Sequence, residues 1–444
     1  MRPALFLAAA ALSAAPAAAE PVLLMSIDGL QPQDVVEAQE RGIAMPNLRR
    51  FLREGAYATG VTGVLPTVTY PSHTTLVTGA APARHGVIGN TTFDPMQINA
   101  GGWYWYASDI AVPTLWDAAK QAGHSTANVH WPVTVGAATI DWNLPQIWRS
   151  GHADDAKLVA ALSTPGLLPE LEGELGAYAP GINEEIDGDE TRGRFAAEII
   201  ARKKPYFMTA YLTALDHEQH AKGPGSPEAH AILERIDAIV GRLVAAQLAA
   251  QPDSVIAIVS DHGFSPTMTE VNFYRAFIDA GLITLGPDGK IASWEAEPWT
   301  SGGSVAIMLA RPDDQALEAR VSELLNRLKA DPAMRIRAIA DRAEVARIGG
   351  NPQAAFYLDL MPDATSGGFA GPAAALSKPS TSKGMHGFFP AAANMRSAFM
   401  LMGRGVPAGR SLGEVDMRAI APTLAAILEV PFASAEVPSM PLGE

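Results

Sequence analysis

The chain has 444 residues, of which 48% are hydrophobic and 18% are charged, and its formal net charge is −14 at pH 7. This acidic balance argues against a surface that binds nucleic acid. The chain contains no cysteine, so disulfides and thiolate metal ligands are excluded. Any metal ion must therefore be held by nitrogen and oxygen ligands.

The first 19 residues are typical of a secretory signal peptide. Arg2 precedes an apolar run, and small residues precede Glu20, which predicts cleavage after Ala19. The run is too short to span a membrane, and no later segment offers 18 uninterrupted apolar residues. We therefore expect a periplasmic or secreted protein without a membrane span, in which residues 20–444 form the mature domain.

Three apolar segments are followed by acidic residues. PVLLMSID ends at Asp28, PYFMTAYLTALD ends at Asp216, and SVIAIVSDHGF carries Asp261 beside His262. An amphipathic helix is predicted over 227–250, and strands that alternate with helices indicate an α/β fold with a mostly parallel sheet covered on both faces. Ligands collect at the carboxyl ends of such strands, so we expect these acids to meet there.

Residues from about 271 to 382 show a different pattern. A strand and a helix are followed by further short strands, and the Gly/Pro/Ser-rich DATSGGFAGPAAALSKPSTSKG closes the region. We predict a small subdomain inserted at about 271–382, after which the chain returns to the core near His386. RSAFMLMGRGV and DMRAIAPTLAAILEVP then supply a last strand and helix.

The acids and histidines suggest a metal centre. Asp216 and His220 are four residues apart, so on a helix they share one face. Each residue alone has an ordinary explanation as a helix cap, a turn or a surface histidine. As a group, carboxylates and imidazoles predict two catalytic zinc ions, with manganese or iron as alternatives, and such ion pairs suit phosphoryl transfer. The two predicted sets are Asp216, His220 and His386, and Asp28, Asp261 and His262.

The stretch GVLPTVTYPSHTTLVTG offers a hydroxyl to the second set, which has only three protein ligands. Thr67, Thr69 and Thr74 flank Tyr-Pro between an apolar run and a predicted helix start. They could cap that helix, or one could be a nucleophile, since metal coordination lowers the pKa of an alcohol. The residue pattern alone does not identify which of the three threonines would be the nucleophile.

Five motifs in order carry a resemblance over most of the mature chain: SIDG, PTVTYPSHTTLVTGAAPARHGVIGN, YLTALDHEQHAKGP, SDHGF and GMHGFF. With these motifs the chain resembles the nucleotide pyrophosphatase/phosphodiesterases of the alkaline phosphatase superfamily. The resemblance implies a three-layer alkaline-phosphatase-like fold and a two-metal phosphodiesterase that hydrolyses nucleotide bonds through a phosphothreonyl intermediate.

The resemblance also implies roles for individual residues. It makes Thr69 the metal-bound nucleophile and Thr67 and Thr74 structural, and it makes Asn90 a hydrogen-bond donor to a phosphoryl oxygen. Tyr70 and Tyr211 correspond to positions where family members stack on a nucleobase. One departure is YPSH after the threonine, where the eukaryotic motif has Phe-Pro-Asn-His.

Other functions remain open at this stage. A phosphate monoesterase or a phosphonoacetate hydrolase would use the same metals and a threonine, but a monoesterase usually adds Arg or Lys beside the phosphoryl group. Only Arg84 and Lys222 lie near the motifs, which favours a diester of a small molecule. A catalytically silent binding protein is the remaining alternative, and its intact ligand sets argue against it. His217, beside Asp216, is treated as a packing residue, and no oligomeric state is predicted.

Overall fold

The computed structural model describes residues 19–99, 102–147, 152, 154–371 and 374–442. All but the last residue of the predicted signal peptide lie outside this part of the chain. The largest sheet of the described chain has eight strands. Their spatial order is Arg410–Ser411, Ala56–Tyr57, Phe399–Gly403, Val255–Val259, Val22–Ile27, Phe207–Leu212, Thr126–Val129 and Trp142–Leu144.

The centre of this sheet is parallel, as predicted. Val22–Ile27 runs parallel to Phe207–Leu212 on one side and to Val255–Val259 on the other. The late strand Phe399–Gly403 is antiparallel to Val255–Val259. Since Ile27 pairs with Leu212 and Ser26 pairs with Val259, the residues after all three central strands emerge at one edge.

Each face of the sheet packs against its own layer of helices. Along the first strand, Leu23, Met25 and Ile27 belong to one buried cluster, whereas Val22 and Leu24 belong to another. This alternation is the period of two expected of a strand that is covered on both faces. The structure therefore confirms the predicted mostly parallel α/β architecture.

Helices account for both covering layers. Ile186–Lys203 and Pro227–Ala250 supply the first cluster, and Thr69–Thr78, Leu115–Gln121 and Ile420–Ile427 supply the second. No described helix is long and apolar enough to cross a membrane. The other α-helices are Pro32–Val36, Leu48–Glu54, Pro82–His85, Asp155–Leu162, Leu167–Leu175, Ala214–Lys222, Phe273–Asp279, Gln315–Ala330 and Arg342–Arg347.

The region predicted as an insertion at about 271–382 contains a separate antiparallel sheet. Its strand order is Ala296–Ser301, Ser304–Leu309, Ala354–Leu360 and Ile336–Asp341. A third buried cluster runs from Val271 to Met395 and lies under this sheet and the helix Gln315–Ala330. Whether this region folds as a unit of its own stays a prediction. The remaining short strands form small sheets: Thr269–Val271 with Ala364–Ser366 and Ser377–Pro379, Ile283–Leu285 with Ile291–Trp294, Ser265–Pro266 with Gly384–Met385, and Gly60–Thr62 with Glu414–Asp416.

Candidate active site

Thr69 is the first residue of a buried helix at the carboxyl edge of the central sheet. The helix spans Thr69–Thr78, and every one of its residues is buried. Thr67 donates its hydroxyl to the carbonyl of Phe388 at 2.7 Å, and Thr74 donates to the carbonyl of Tyr70 at 2.8 Å. These two hydroxyls are occupied by backbone, whereas Thr69 lines a cavity.

Asn90 reaches the start of the same helix. Its Oδ1 accepts the backbone N–H of Tyr70 at 2.9 Å, and this bond orients the amide group beside Thr69. With Oδ1 occupied, the amide Nδ2 is the group left to donate to a bound oxyanion. This geometry is consistent with the role that the resemblance gives Asn90, which stays a prediction.

The first predicted ligand set is assembled around Asp216. His220 Nε2 lies 3.5 Å from one carboxylate oxygen of Asp216, and His386 Nε2 lies 3.6 Å from the other. Asp216 and His220 sit one turn apart on the helix Ala214–Lys222, as their spacing predicts. His386 arrives from a loop far along the chain, so only the tertiary fold brings the three together.

Backbone carbonyls fix the orientation of the histidines in both predicted sets. His220 Nδ1 donates to Gly384 at 2.9 Å, His386 Nδ1 donates to Thr67 at 3.1 Å, and His262 Nδ1 lies 3.2 Å from the carbonyl of Gly263. A carbonyl only accepts, so these bonds assign the proton to Nδ1. Each Nε2 therefore presents a lone pair toward the carboxylates, as metal-bound imidazoles do.

The second set is more deeply buried. His262 Nε2 lies 3.3 Å from Asp28 Oδ1 and 3.1 Å from Asp261 Oδ2. None of these three atoms has a hydrogen-bond partner among the described residues. Because lone pairs face lone pairs, the three residues fit a cation bound between them. The six residues of the two sets and Thr69 are together called the ligand cluster: Asp28, Thr69, Asp216, His220, Asp261, His262 and His386.

The two sets share a member. The donor atoms of Asp216, His220 and His386 lie within 4.8 Å of one another, and so do those of Asp28, Asp216 and His262. Asp216 thus reaches into the second group, in addition to its predicted place in the first. Asp261 stays in contact with His262, while its Oδ1 accepts the backbone N–H of Gly29 at 3.2 Å. That glycine has a φ of +69°, and a Cβ there would meet Gln219 and Phe264 at 2.9 Å.

The electrostatics of the ligand cluster are strained without a cation. Burial raises the pKa of Asp28 well above its ordinary value, and the nearby Asp261 and Asp216 raise it further. Burial alone would also raise the pKa of Asp216, but the facing His220 and His386 hold it below its ordinary value. Burial lowers the pKa of His386 to about 3, with His262 adding to the effect. Nitrogen and oxygen donors in this state fit divalent ions such as zinc.

A buried ion pair supports the helix that carries Asp216. Asp189 forms a salt bridge with Arg192, and both side chains are essentially buried. The carboxylate of Asp189 accepts the backbone N–H groups of Thr213 at 2.9 Å and Ala214 at 3.0 Å. These are the free donors of a helix N-terminus, so Asp189 caps the helix from a distant part of the chain. No local pattern in the sequence indicates this contact.

Tyr211 makes a hydrogen bond that was not predicted from the sequence. Its hydroxyl donates to Asp28 Oδ2, and its buried ring lies against His73 at 4.4 Å and His130 at 6.0 Å between centroids. The tyrosine therefore holds a ligand of the cluster in place. Tyr211 also lines the cavity, and its stacking on a nucleobase stays a prediction.

His73 is fully buried within the helix Thr69–Thr78 and lies one turn after Thr69. Its Nδ1 lies 2.9 Å from the carbonyl of Thr69, and its Nε2 lies 2.9 Å from the hydroxyl of Ser26. Burial lowers the pKa of His73 to about 4, so the ring is neutral in the folded protein at neutral pH. It braces the helix start and is placed for support, not for proton transfer to a substrate in the cavity.

A cavity of about 150 Å³ joins the ligand cluster to a set of loops. Tyr70 lines it, and the ring of Tyr70 lies 5.3 Å from that of Trp103. His217, which the sequence left as a packing residue, lines it too and pairs with Glu184 at 3.7 Å. No lysine or arginine is found among the described residues that line this cavity. Four residues that line the cavity lie on irregular segments, and we call them the loop wall: Asn90, Trp103, Gln146 and Glu184.

Comparison with known families gives this geometry a context. Residues 22–382 match the family model for type I phosphodiesterase / nucleotide pyrophosphatase. The match covers most of the chain and includes most of the ligand cluster. The chain therefore belongs to the type I phosphodiesterase / nucleotide pyrophosphatase family.

Individual relatives are distant. An uncharacterised pyrophosphatase/phosphodiesterase of Schizosaccharomyces pombe is 25% identical over 253 residues, which cover 55% of this chain and 45% of the relative. Human ectonucleotide pyrophosphatase/phosphodiesterase family member 1 is 26% identical over 61% of this chain and 27% of the relative. A bovine bis(5'-adenosyl)-triphosphatase is 25% identical over 55% of this chain and 47% of the relative. The chain thus spans less than half the length of these relatives.

Solved structures share the fold. Human ectonucleotide pyrophosphatase/phosphodiesterase 5 superposes with a TM-score of 0.65, covering 93% of this chain and 96% of that one at 18% identity. An inactive murine form of the same enzyme, in complex with AMP, gives 0.65 at 17% identity. The predicted alkaline-phosphatase-like fold is confirmed by this likeness, which at such identity shows the fold alone.

Proposed function

We propose that the protein hydrolyses phosphodiester or pyrophosphate bonds of nucleotides, with Thr69 as the nucleophile and Asp28, Asp216, His220, Asp261, His262 and His386 as ligands of two divalent ions. Zinc is the first candidate because the donors are nitrogen and oxygen with no thiolate. The observation that carries the proposal is a threonine at a helix start that lines the same cavity as members of two groups of N/O donors. Family membership supports it.

When bound, two divalent ions supply the positive charge that lowers the pKa of the hydroxyl and stabilises the phosphoryl oxygens. Thr69 Oγ loses its proton to solvent and bonds to phosphorus, while the bond from phosphorus to the leaving group breaks. The leaving group takes a proton from solvent, and a phosphothreonyl intermediate remains. Water then attacks phosphorus, which releases the phosphate monoester and restores the hydroxyl. Asn90 would donate to a phosphoryl oxygen in both steps.

The chain's own charges favour a diester over a monoester. A monoester carries an additional negative charge, which enzymes usually match with Arg or Lys. The described cavity lining has neither, and it includes the carboxylate of Glu184. Arg84 and Lys222, the nearest cations in the sequence, are exposed and do not line it.

A direct comparison of substrates tests this function. Purified protein loaded with zinc should hydrolyse bis(p-nitrophenyl) phosphate with a kcat/KM at least about a hundredfold above that for p-nitrophenyl phosphate. Diadenosine triphosphate and other nucleotide anhydrides, whose hydrolysis the name of the bovine relative suggests, belong in the same panel. Faster release of phosphate from the monoester, or from phosphonoacetate, would instead assign one of the alternative activities. Absence of turnover with metal bound would favour a silent binding protein.

The signal-like residues 1–19 are the basis for the proposed cellular location. We infer export to the periplasm or the medium. Fractionation of cells that express the full chain, with sequencing of the mature N-terminus, tests this point. A cytoplasmic protein with an intact N-terminus would contradict it.

A further inference from the structure

The loop wall carries polar groups for which the proposed reaction has no use. Gln146 is 2% exposed, it lines the cavity, and its Oε1 has no hydrogen-bond partner among the described residues. A buried amide oxygen without a partner costs free energy unless a ligand satisfies it. Gln146 is therefore placed to accept a hydrogen bond from a molecule in the cavity.

Glu184 adds a second acceptor to the same wall. Its side chain is 18% exposed, and its Oε2 lies 3.7 Å from His217 Nδ1. The imidazole of His217 faces one carboxylate oxygen, and Glu184 lines the cavity beside it. Gln146 and Glu184 are hydrogen-bond acceptors, and the described lining residues include no Lys or Arg. The cavity therefore favours a ligand that has hydrogen-bond donors of its own.

The rest of the cavity selects for shape. Tyr70 and Trp103 have ring centroids 5.3 Å apart and an interplanar angle of 53°, and both line the cavity. Aromatic walls favour flat groups, because stacking on a ring face tolerates any base. A flat group with N–H donors on its edge satisfies both the aromatic and the polar parts of the cavity.

We propose that Gln146 and Glu184 form an acceptor edge that selects nucleotides whose base carries an exocyclic amino group. This inference rests on the proposed function, since it names the base that the same site prefers. A carbonyl oxygen in place of the amino group would face the amide oxygen and the carboxylate without a proton between them, and sites built for a hydrogen bond reject such analogues.

Cytosine and uracil make the matched test. They have the same ring size, but uracil has a carbonyl oxygen where cytosine has its exocyclic amino group, and the N3 of uracil carries a proton that cytosine lacks. The p-nitrophenyl esters of cytidine and uridine 5'-monophosphate place each base in the cavity with the same leaving group. The wild-type enzyme should prefer the cytidine ester by about ten- to a hundredfold in kcat/KM.

Two variants locate the preference. Glu184→Gln keeps the size of the side chain but offers an N–H to a carbonyl, so the cytidine-to-uridine ratio should fall at least about tenfold. Gln146→Leu removes the second acceptor and should lower the same ratio. Glu323→Gln changes an exposed glutamate on the helix Gln315–Ala330 and should keep the wild-type ratio. Rates on p-nitrophenyl methyl phosphate, which has no base, normalise each variant for folding and metal content.

The outcomes separate the inference from the proposed function. Equal rates on the two nucleotide esters, a preference for uridine, or an unchanged ratio in both Glu184→Gln and Gln146→Leu would overturn the acceptor edge and leave the nucleotide function standing. Hydrolysis of the base-free ester with neither nucleotide ester cleaved would overturn both. A faster rate on p-nitrophenyl phosphorylcholine than on either nucleotide ester would also overturn both, because an acidic aromatic cavity can bind a quaternary ammonium.

Discussion

The ligand cluster and the loop wall line the same cavity but are built in different ways. Asp28, Asp216 and Asp261 follow three central strands whose pairing brings their carboxyl ends together. Gln146 and Glu184 lie on irregular segments, where no strand register fixes the direction of a side chain. The comparison teaches that strand pairing fixes the positions of the ligand cluster, whereas packing of loops shapes the rest of the cavity. Under the proposed function, the first group would carry the reaction and the second would select the substrate.

If this division is right, the largest effect comes from the nucleophile. Thr69→Ala should lower kcat at least about a thousandfold on every diester, with or without a base, because the bond to phosphorus can no longer form. Thr69→Ser keeps a hydroxyl and should retain measurable activity. Circular dichroism checks the fold of both variants. Near wild-type turnover in the alanine variant would remove Thr69 from the mechanism.

Loss of a metal ligand should come next. His262→Ala should remove about one of two bound ions per chain and lower activity at least about a hundredfold on all diesters. Metal content by mass spectrometry of the purified protein is the measurement, and the exposed His152→Ala is the matched control. Full activity in a thoroughly chelated sample would contradict a metal-dependent mechanism.

The buried ion pair of Asp189 and Arg192 tests how support from outside the ligand cluster affects metal binding. Asp189→Asn weakens the cap on the helix that carries Asp216 and leaves Arg192 without its charge partner. Metal affinity should fall about ten- to a hundredfold, with kcat recovering at saturating zinc. A zinc titration of activity measures this shift. An unchanged titration curve would show that Asp189 acts on stability alone.

Substitutions of Tyr70 and Tyr211 test whether each tyrosine supports the ligand cluster or contacts the substrate. Tyr211→Phe keeps the ring but removes the hydroxyl bonded to Asp28, so kcat should fall about tenfold on base-free and nucleotide esters alike. Tyr70→Ala should raise KM for nucleotide esters about tenfold, with a smaller effect on a base-free ester. A selective loss on nucleotides in Tyr211→Ala that Tyr211→Phe does not show would support the predicted stacking role of Tyr211.

The smallest effect concerns stability and pH. Burial lowers the pKa of His85 to about 3, and its ring is bonded to Thr75 on the helix that begins at Thr69. Between pH 6.5 and 3 the unfolded chain binds a proton that the folded chain does not, so stability falls as the pH is lowered through this window. Between pH 6.5 and 5.5 the metal-free wild type should lose about 1 kcal/mol more unfolding free energy than His85→Gln. Urea unfolding at each pH measures the difference, and parallel curves would contradict it.

Much of the ligand cluster was predictable because its residues sit beside regular elements. A buried strand that ends in an acid, repeated three times, places those acids at one edge of a parallel sheet. The spacing of Asp216 and His220 fixes their common helix face. In both cases short-range geometry determines the direction of a side chain, and the sequence displays that geometry.

Other contacts were decided only by the tertiary structure. Nothing local to Tyr211 shows that its hydroxyl meets Asp28, and nothing near Asp189 shows that it caps a helix some 25 residues away. The place of Asp216 between the two donor groups, and the position of Gln146 and Glu184 on one cavity wall, have the same origin. Side chains on loops and between distant segments take their directions from packing against neighbours remote in sequence, and no periodicity along the chain encodes those neighbours.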